Sequence, residues 1–442
     1  MSPALPSLLP RSIYRAVAVV LVFFLLQQFW YFHQPVSVTN HLDDDKTLCK
    51  SLRGLEDIFV VLRTGATEAP KKLPPHFATT LRCVPHYALY SDYEEDIDGH
   101  HVYNALDEVD PNVIANHPDF EYYRRLQAGG REAFSAEEIA QWSSAKNTNG
   151  GRDSPGWRLD KWKFLPLADK AYHLRPDAKW YIFIESDTFM MWRSLLEFLS
   201  HFDASKPHYL GQQMQIGDIV FAYGGAGFAI SNPALKKAVE RRRSNLKFYD
   251  DFTGGHWAGD CVLGKALLDA GVNLHWSFPT LNGDAPAEMD FNTSFGGEDK
   301  KPWCYYASSY HHLPAADYPQ FASFEQKWNQ RNAFLLRHRD VFRFYVLPNI
   351  ASERVDWDNV SGQEQKDATT FGDCRNICEN QVDCLQFSLS GQTCRTSTVV
   401  KLGHQVASNP AQPVRSGWIL DRVKEFTERM DKTCSHQAWM LP

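Results

Sequence analysis

The chain lacks an excess of positive charge. Its 46 Lys and Arg residues are outnumbered by 53 Asp and Glu, leaving a formal net charge of -7 over 442 residues. A nucleic-acid-binding protein needs a basic field that this composition does not supply, so DNA and RNA are excluded as expected partners. No internal repeat and no long low-complexity tract runs through the sequence, which removes repeat architectures. The nine cysteines form no paired Cys-x2-Cys knuckles, so disulfides are a better reading than a zinc site. Nor is there a second cluster of His and Asp ligands of the kind a metal-dependent hydrolase would use. What the chain does have is 43% hydrophobic and 13% aromatic residues, enough for one large domain and a smaller unit.

One apolar run is long. From Ile13 to Phe32 the sequence is uninterrupted between Ala16 and Leu26, breaks at Gln27 and Gln28, and resumes with Phe29 to Phe32. That is about the 20 residues a bilayer-spanning helix requires. Arg11 and Arg15 lie on its N-terminal side and Asp43, Asp44 and Asp45 after it, so the positive-inside rule puts the short N-terminus in the cytosol and the rest in a lumen. No small-x-small cleavage site follows, and Trp30, Tyr31 and Phe32 read as an interfacial aromatic belt; an uncleaved anchor is therefore expected. A secretory lumen suits disulfides. Cys374, Cys378, Cys384, Cys394 and Cys434 cluster late in the chain, while Cys49, Cys83, Cys261 and Cys304 are scattered. Asn292 and Asn359 open N-x-S/T sequons that only such a compartment would use.

After a short polar stem, Asp57 to Arg63 (DIFVVLR) predicts a buried strand that ends in a ligand-binding turn at Thr64 and Gly65. Tyr87 to Tyr90 (YALY) predicts a second strand ending at Ser91 and Asp92, with the acidic segment Glu94 to Asp98 as a solvated loop. Ser143 to Gly156 has loop composition, and Trp157 to His173 has helical spacing, with Lys161 and Lys163 on it. Trp180 to Ile184 (WYIFI) is a fully apolar strand followed at once by Glu185, Ser186 and Asp187. Tyr223 to Ile230 (YGGAGFAI) is glycine-rich and then apolar, before a helix starting near Ala234. Apolar strands with polar C-terminal ends predict an open α/β sheet with its ligand beyond those ends. From about Val355 the texture changes to short polar stretches with clustered cysteines, a small disulfide-stapled module whose boundary falls between Asn349 and Asp373.

Two carboxylates two positions apart, Glu185 and Asp187, can point to one face at a strand end and hold a hard divalent cation such as magnesium or manganese. Carboxylates at such places are also ordinary caps. Asp260 lies at the start of a helix predicted over Cys261 to Leu268, where it would N-cap the helix and stay ionised. Gly224, Gly225 and Gly227 permit close backbone approach to a ligand, or mark a plain turn.

Read together and in order, seven blocks resemble the Fringe-like β1,3-glycosyltransferases, glycosyltransferase family 31, and especially their fungal branch. They are DIFVVLRTGAT at Asp57 to Thr67, the Tyr90-Ser91-Asp92 strand end, LDKWKFLP at Leu159 to Pro166, WYIFIESDTF at Trp180 to Phe189, YGGAGFAIS at Tyr223 to Ser231, GDCVLG at Gly259 to Gly264, and SSYHHL at Ser308 to Leu313. The resemblance covers roughly Asp57 to Leu313. It implies a GT-A fold, a retained metal, Mn2+ or Mg2+, and inversion at the anomeric carbon of a UDP-sugar donor. By the same resemblance Asp187 is the main metal carboxylate, with Glu185 at the ribose, the metal or its bound water. Glu185 and Ser186 stand where the family has two further aspartates. His311 or His312 supplies an imidazole, with His311 preferred, and Asp260 is the catalytic base. Thr64, Gly65 and Asp92 flank the nucleotide, Lys161 reaches the diphosphate, and Gly225 and Gly227 approach the sugar. Cys261 and Cys304 flank this site in sequence, and a bridge between them would tie the base to the histidine strand. The segment Asp373 to Lys401 resembles a PAN/Apple module, whose usual ligands are proteins or carbohydrate.

The expected protein is thus an α/β, GT-A type molecule with a central mixed sheet and a small disulfide-rich α+β module. Its parts would be a cytosolic tail (1–12), a transmembrane anchor (13–32), a stem (33–51), the catalytic domain (52–350) and the module (355–442). It would sit as a single-pass type II protein in the Golgi membrane and move galactose or an N-acetylhexosamine onto a hydroxyl of a glycan or glycoprotein. The alternative is a catalytically silent, lectin-like or chaperone-like binding protein of the secretory pathway.

Overall fold

In the computed structural model, residues 49–144, 154–366, 368–434 and 439–442 are described. The expected anchor at 13–32, the cytosolic tail and most of the stem lie outside them, as does most of the loop predicted at 143–156. Among the described residues no helix is long and apolar enough to cross a membrane. The chain divides into two units, Met1–Leu52 and Arg53–Pro442. All that follows concerns the second.

Its centre is a mixed sheet of eight strands: β1 (Ile58–Arg63), β2 (Tyr87–Ser91), β3 (Glu95–Ile97), β4 (His100–Asn104), β5 (Trp180–Glu185), β6 (Tyr209–Gly211), β7 (Phe228–Ser231) and β8 (Leu274–Trp276). Their spatial order is β8-β6-β7-β5-β1-β2-β4-β3. β1 lies parallel to both β2 and β5, in a register that puts Arg63 beside Tyr90 on one side and Glu185 on the other. β1 and β5 are buried on both faces, which is why they read as continuous apolar runs rather than as alternating ones. Because β1, β2 and β5 run the same way, their C-terminal ends open at one edge, and the polar residues that follow them meet there.

Two local expectations are corrected. The acidic segment Glu94 to Asp98 is not a loop: Glu95–Ile97 is an edge strand antiparallel to β4. Asp98 and Gly99 both take positive φ, 50° and 82°, so an Asp-Gly hairpin turn joins the strands, and the acidic side chains pair with His101 and Arg131. The helix expected over Trp157 to His173 is two, α2 (Pro155–Asp160) and α3 (Phe164–Leu174). Restarting at Phe164 places Pro166 in a first turn, where its missing N–H has no helical partner to lose.

The cysteines also pair differently from the suggested Cys261–Cys304 bridge. Cys304 is bonded to Cys434, and Cys261 is free, buried among Ile219, Phe221 and Ala258. Cys374 pairs with Cys394 and Cys378 with Cys384, tying the helix Phe371–Asn380 to the C-terminal sheet. That sheet has five antiparallel strands, in the order Glu353–Val355, Val414–Trp418, Gln386–Ser390, Thr393–Ser397 and Gln363–Gln365. Leu385, Leu402 and Trp418, with Val423, Phe426 and Met430 from the helix Leu420–Lys432, share one core with Phe189, Trp303 and Phe342. Of the two sequons, Asn359 is fully buried, its Nδ2 donating to the carbonyls of Phe387 and Gly417 at 3.0 and 3.3 Å; the folded protein cannot present it to a glycan-transferring enzyme.

The Cys304–Cys434 bond closes a loop with a sequence separation of 130 around this shared core. Cys434→Ser is expected to lower the unfolding free energy by about 2–4 kcal/mol, measured by urea denaturation of the full chain.

Candidate active site

Thr64, Gly65 and Asp92 come together at the ends of β1 and β2, with an unanticipated fourth member. Asp92 is wholly buried and accepts from Ala66 N at 2.8 Å, pinning the turn after β1. Lys163 lies against it at 3.3 Å and donates to the Thr64 carbonyl at 2.8 Å. The Thr64 hydroxyl donates to Ser186 Oγ at 3.0 Å, linking this turn to the end of β5. Lys161 points elsewhere. Its ammonium donates to the carbonyls of Gly254 and His256 at 3.3 and 2.9 Å and pairs with Asp119, so it braces the segment before α4 (Gly259–Asp269). Two positions apart on αR backbone, the two lysines project to different sides.

Glu185 is the last residue of β5 and Asp187 stands in the turn beyond it. Both face one imidazole: His311 Nε2 lies 3.1 Å from Asp187 Oδ1 and 3.7 Å from Glu185 Oε2. The histidine is delivered by a two-residue antiparallel pairing of Ser309–Tyr310 with Phe189–Met190. Two cations absent from the sequence-level site complete the cluster. Arg63 Nη2 reaches Glu185 Oε1 at 2.5 Å and Asp160 Oδ2 at 3.4 Å, its guanidinium 3.7 Å from the centre of the Phe164 ring. Lys72, on the short helix α1 (Ala69–Lys72), donates to Asp187 Oδ2 at 3.2 Å. A lone arginine closing an otherwise apolar strand was the one signal for Arg63; Lys72 offered none.

Electrostatics follow from this crowding. Burial alone would raise the Glu185 and Asp187 carboxyls, but Arg63 and His311 hold the first, and His311 and Lys72 the second, well below the usual carboxylate range. Burial alone would lower the His311 imidazole, yet the same carboxylates raise it to about 9. The site therefore attracts positive charge. Ligand atoms of Asp187, His311 and His312 lie within 4.8 Å of one another, close enough to share one ion. One carboxylate and two imidazoles suit a divalent transition ion such as manganese better than magnesium. His76 supports the turn from below: burial pushes its imidazole down to about 4, and Nε2 donates to the Ser186 carbonyl at 3.0 Å.

The glycine turn after Tyr223 brings the last candidate in. Gly224 N donates to Asp260 Oδ2 at 2.9 Å. A Cβ at Gly225 would lie 2.2 Å from the His311 ring, and one at Gly224 2.9 Å from Glu185 Oε1. What approaches this backbone closely is thus the imidazole and the carboxylate. Gly227 takes φ +72° to leave the turn into β7, and its N–H closes back on the Gly224 carbonyl. Asp260 is not the N-cap of α4, which is Ala258; it sits one residue inside the first turn, with Oδ1 accepting from Cys261 N. Burial raises its carboxyl to about 6, outweighing the Gly224 N–H that lowers it.

This arrangement holds a half-buried, weakly acidic carboxyl beside a cation-attracting cluster at the open edge of an α/β sheet. Compared with known protein families, residues 54–278 match the Fringe-like family, just over half of the 442-residue chain. The matched span contains Thr64, Asp92, Glu185, Asp187, the glycine turn and Asp260, and it stops before His311. On that match the chain belongs to the Fringe-like family of glycosyltransferases.

Proposed function

We propose that the protein is an inverting, metal-dependent transferase that moves a hexose, galactose or an N-acetylhexosamine, from a UDP-sugar to a hydroxyl of a glycan or glycoprotein, in β1,3 linkage. The observation that carries this reading is the Gly224–Gly225 turn, which binds Asp260 through one residue and packs on His311 through the next. Base and cation-binding cluster are thereby held against one backbone segment. A divalent cation held by Asp187 and His311, with His312 alongside, would stabilise negative charge on the departing diphosphate. Arg63 and Lys72 add fixed positive charge to the same region. Asp260 accepts the proton of the acceptor hydroxyl as its oxygen bonds to the anomeric carbon; the carbon–oxygen bond to UDP breaks on the opposite face, and configuration inverts. The anchor at 13–32 makes this a type II protein of the Golgi membrane, and the cysteine-rich C-terminal segment is a PAN/Apple-like module.

The test is UDP release by the full chain given each UDP-sugar, Mn2+ and a panel of glycan acceptors. Acceptor-dependent release that chelation removes and Mn2+ restores is expected, with Asp260→Asn lowering kcat by about 10²–10⁴-fold and Asp187→Ala abolishing the Mn2+ response. Binding of UDP and Mn2+ without turnover on any acceptor would instead favour a silent binding protein. A base must be ionised to accept a proton, and the Asp260 carboxyl is raised to about 6. The pH profile of kcat/KM should therefore fall as pH drops through about 6 and level off above it, and Asp260→Asn should remove that acid limb from the residual activity.

A further inference from the structure

Beside the candidate base lies an aromatic surface that the chemistry above does not use. Trp257, three residues before Asp260, is 59% exposed. Trp157, three residues before Asp160, is half-buried and lies nearly parallel to it, with ring centroids 6.3 Å apart and planes inclined by 22°. His256 continues the parallel arrangement behind Trp257, and Phe252 behind His256. An exposed indole beside a half-buried one marks a candidate binding surface rather than core, because an indole left in water forgoes its large apolar burial.

The pair is held in place from both sides. Lys161 fixes the carbonyls of Gly254 and His256, and His256 Nδ1 accepts from Ala258 N at 3.0 Å. The Trp157 backbone N–H donates to the N-cap Ser154 Oγ at 3.2 Å. Gly259 lets the start of α4 touch the segment between α2 and α3: a Cβ there would lie 2.6 Å from Lys161 Cα and 2.3 Å from the Phe164 ring. The carboxylates that follow the two tryptophans, Asp160 and Asp260, both lie within electrostatic reach of Arg63. Each indole thus stands three residues before a carboxylate of the Arg63 cluster, whereas the turns at Thr64 and Asp92 lie at the ends of β1 and β2.

We infer that Trp157 and Trp257 form a stacking platform for a pyranose ring of the acceptor saccharide. The apolar C–H face of a pyranose matches an indole plane, and its rim of hydroxyls stays in water or reaches Asp260. This rests on the transferase reading for the word acceptor, but sugar binding at the platform is independent of turnover.

Saturation-transfer-difference NMR on the full chain in nanodiscs separates the two, with methyl β-D-galactopyranoside, methyl α-D-mannopyranoside and N-acetyllactosamine as probes. Saturation confined to one ring face of at least one probe is expected. Trp257→Ala and Trp157→Ala should each weaken it by roughly tenfold, the scale of a strong stacking contact, while Trp257→Phe keeps most of it. Circular dichroism of each variant verifies the fold. No saturation of any probe, or saturation unchanged in Trp257→Ala, overturns the platform. If the probes bind through both tryptophans and no UDP release is ever found, the platform stands and the transferase reading fails. If release is normal and the acceptor KM is unmoved in Trp257→Ala, the platform fails alone.

Discussion

Arg63 and Glu185 end two neighbouring parallel strands in register, and the ion pair between them sets the terms for everything at the sheet edge. Four carboxylates, Asp160, Glu185, Asp187 and Asp260, gather where apolar strands stop. Without a fixed cation among them, burial would protonate some and expel others. Arg63 is suited to the task because a guanidinium does not lose its proton and can lie flat on an aromatic ring, here Phe164. With Glu185 so paired, Asp187 is left facing Lys72 and His311, whose imidazole can ligate a cation only after giving up its proton. Asp260, which makes no ion pair with these cations, is instead raised by its burial.

The second constraint is steric. Three polar groups contributed by β5, by α4 and by the segment after residue 308 converge on a backbone turn that tolerates no side chain at its closest points. Gly225 is required by the His311 ring and Gly224 by Glu185. A helix start and a strand end are thereby fixed relative to each other through main-chain atoms, which move less than side chains do.

The sheet was legible because its central strands are buried on both faces and so leave apolar runs no other element would leave. That Glu185, Asp187, Asp260, His311 and His312 belong to one region was legible because each follows such a run or sits in a recognisable block. Other features were not. The Asp98-Gly99 turn was written in the sequence but hidden by the acidity around it. Lys161 and Lys163 share one short stretch, and which of them is buried at Asp92 depends on the side of that stretch that packs against β1 and β2, which spacing does not reveal. Lys72 carried no local mark, since its partner is distant in the chain. The Cys304–Cys434 pairing was likewise beyond spacing, because it depends on how the C-terminal helix docks.

The route by which His311 arrives bears on how the protein is made. A chain emerging N-terminus first completes β1, β2 and β5, and with them Glu185 and Asp187, while Ser309 and Tyr310 have yet to be synthesised. The covalent bond that secures the neighbouring Cys304 must wait longer, for Cys434 near the end of the chain. The imidazole that faces Asp187 is thus among the last parts of the site the nascent chain acquires. A chain ended before residue 308 would carry Glu185 and Asp187 without the histidine that packs against them.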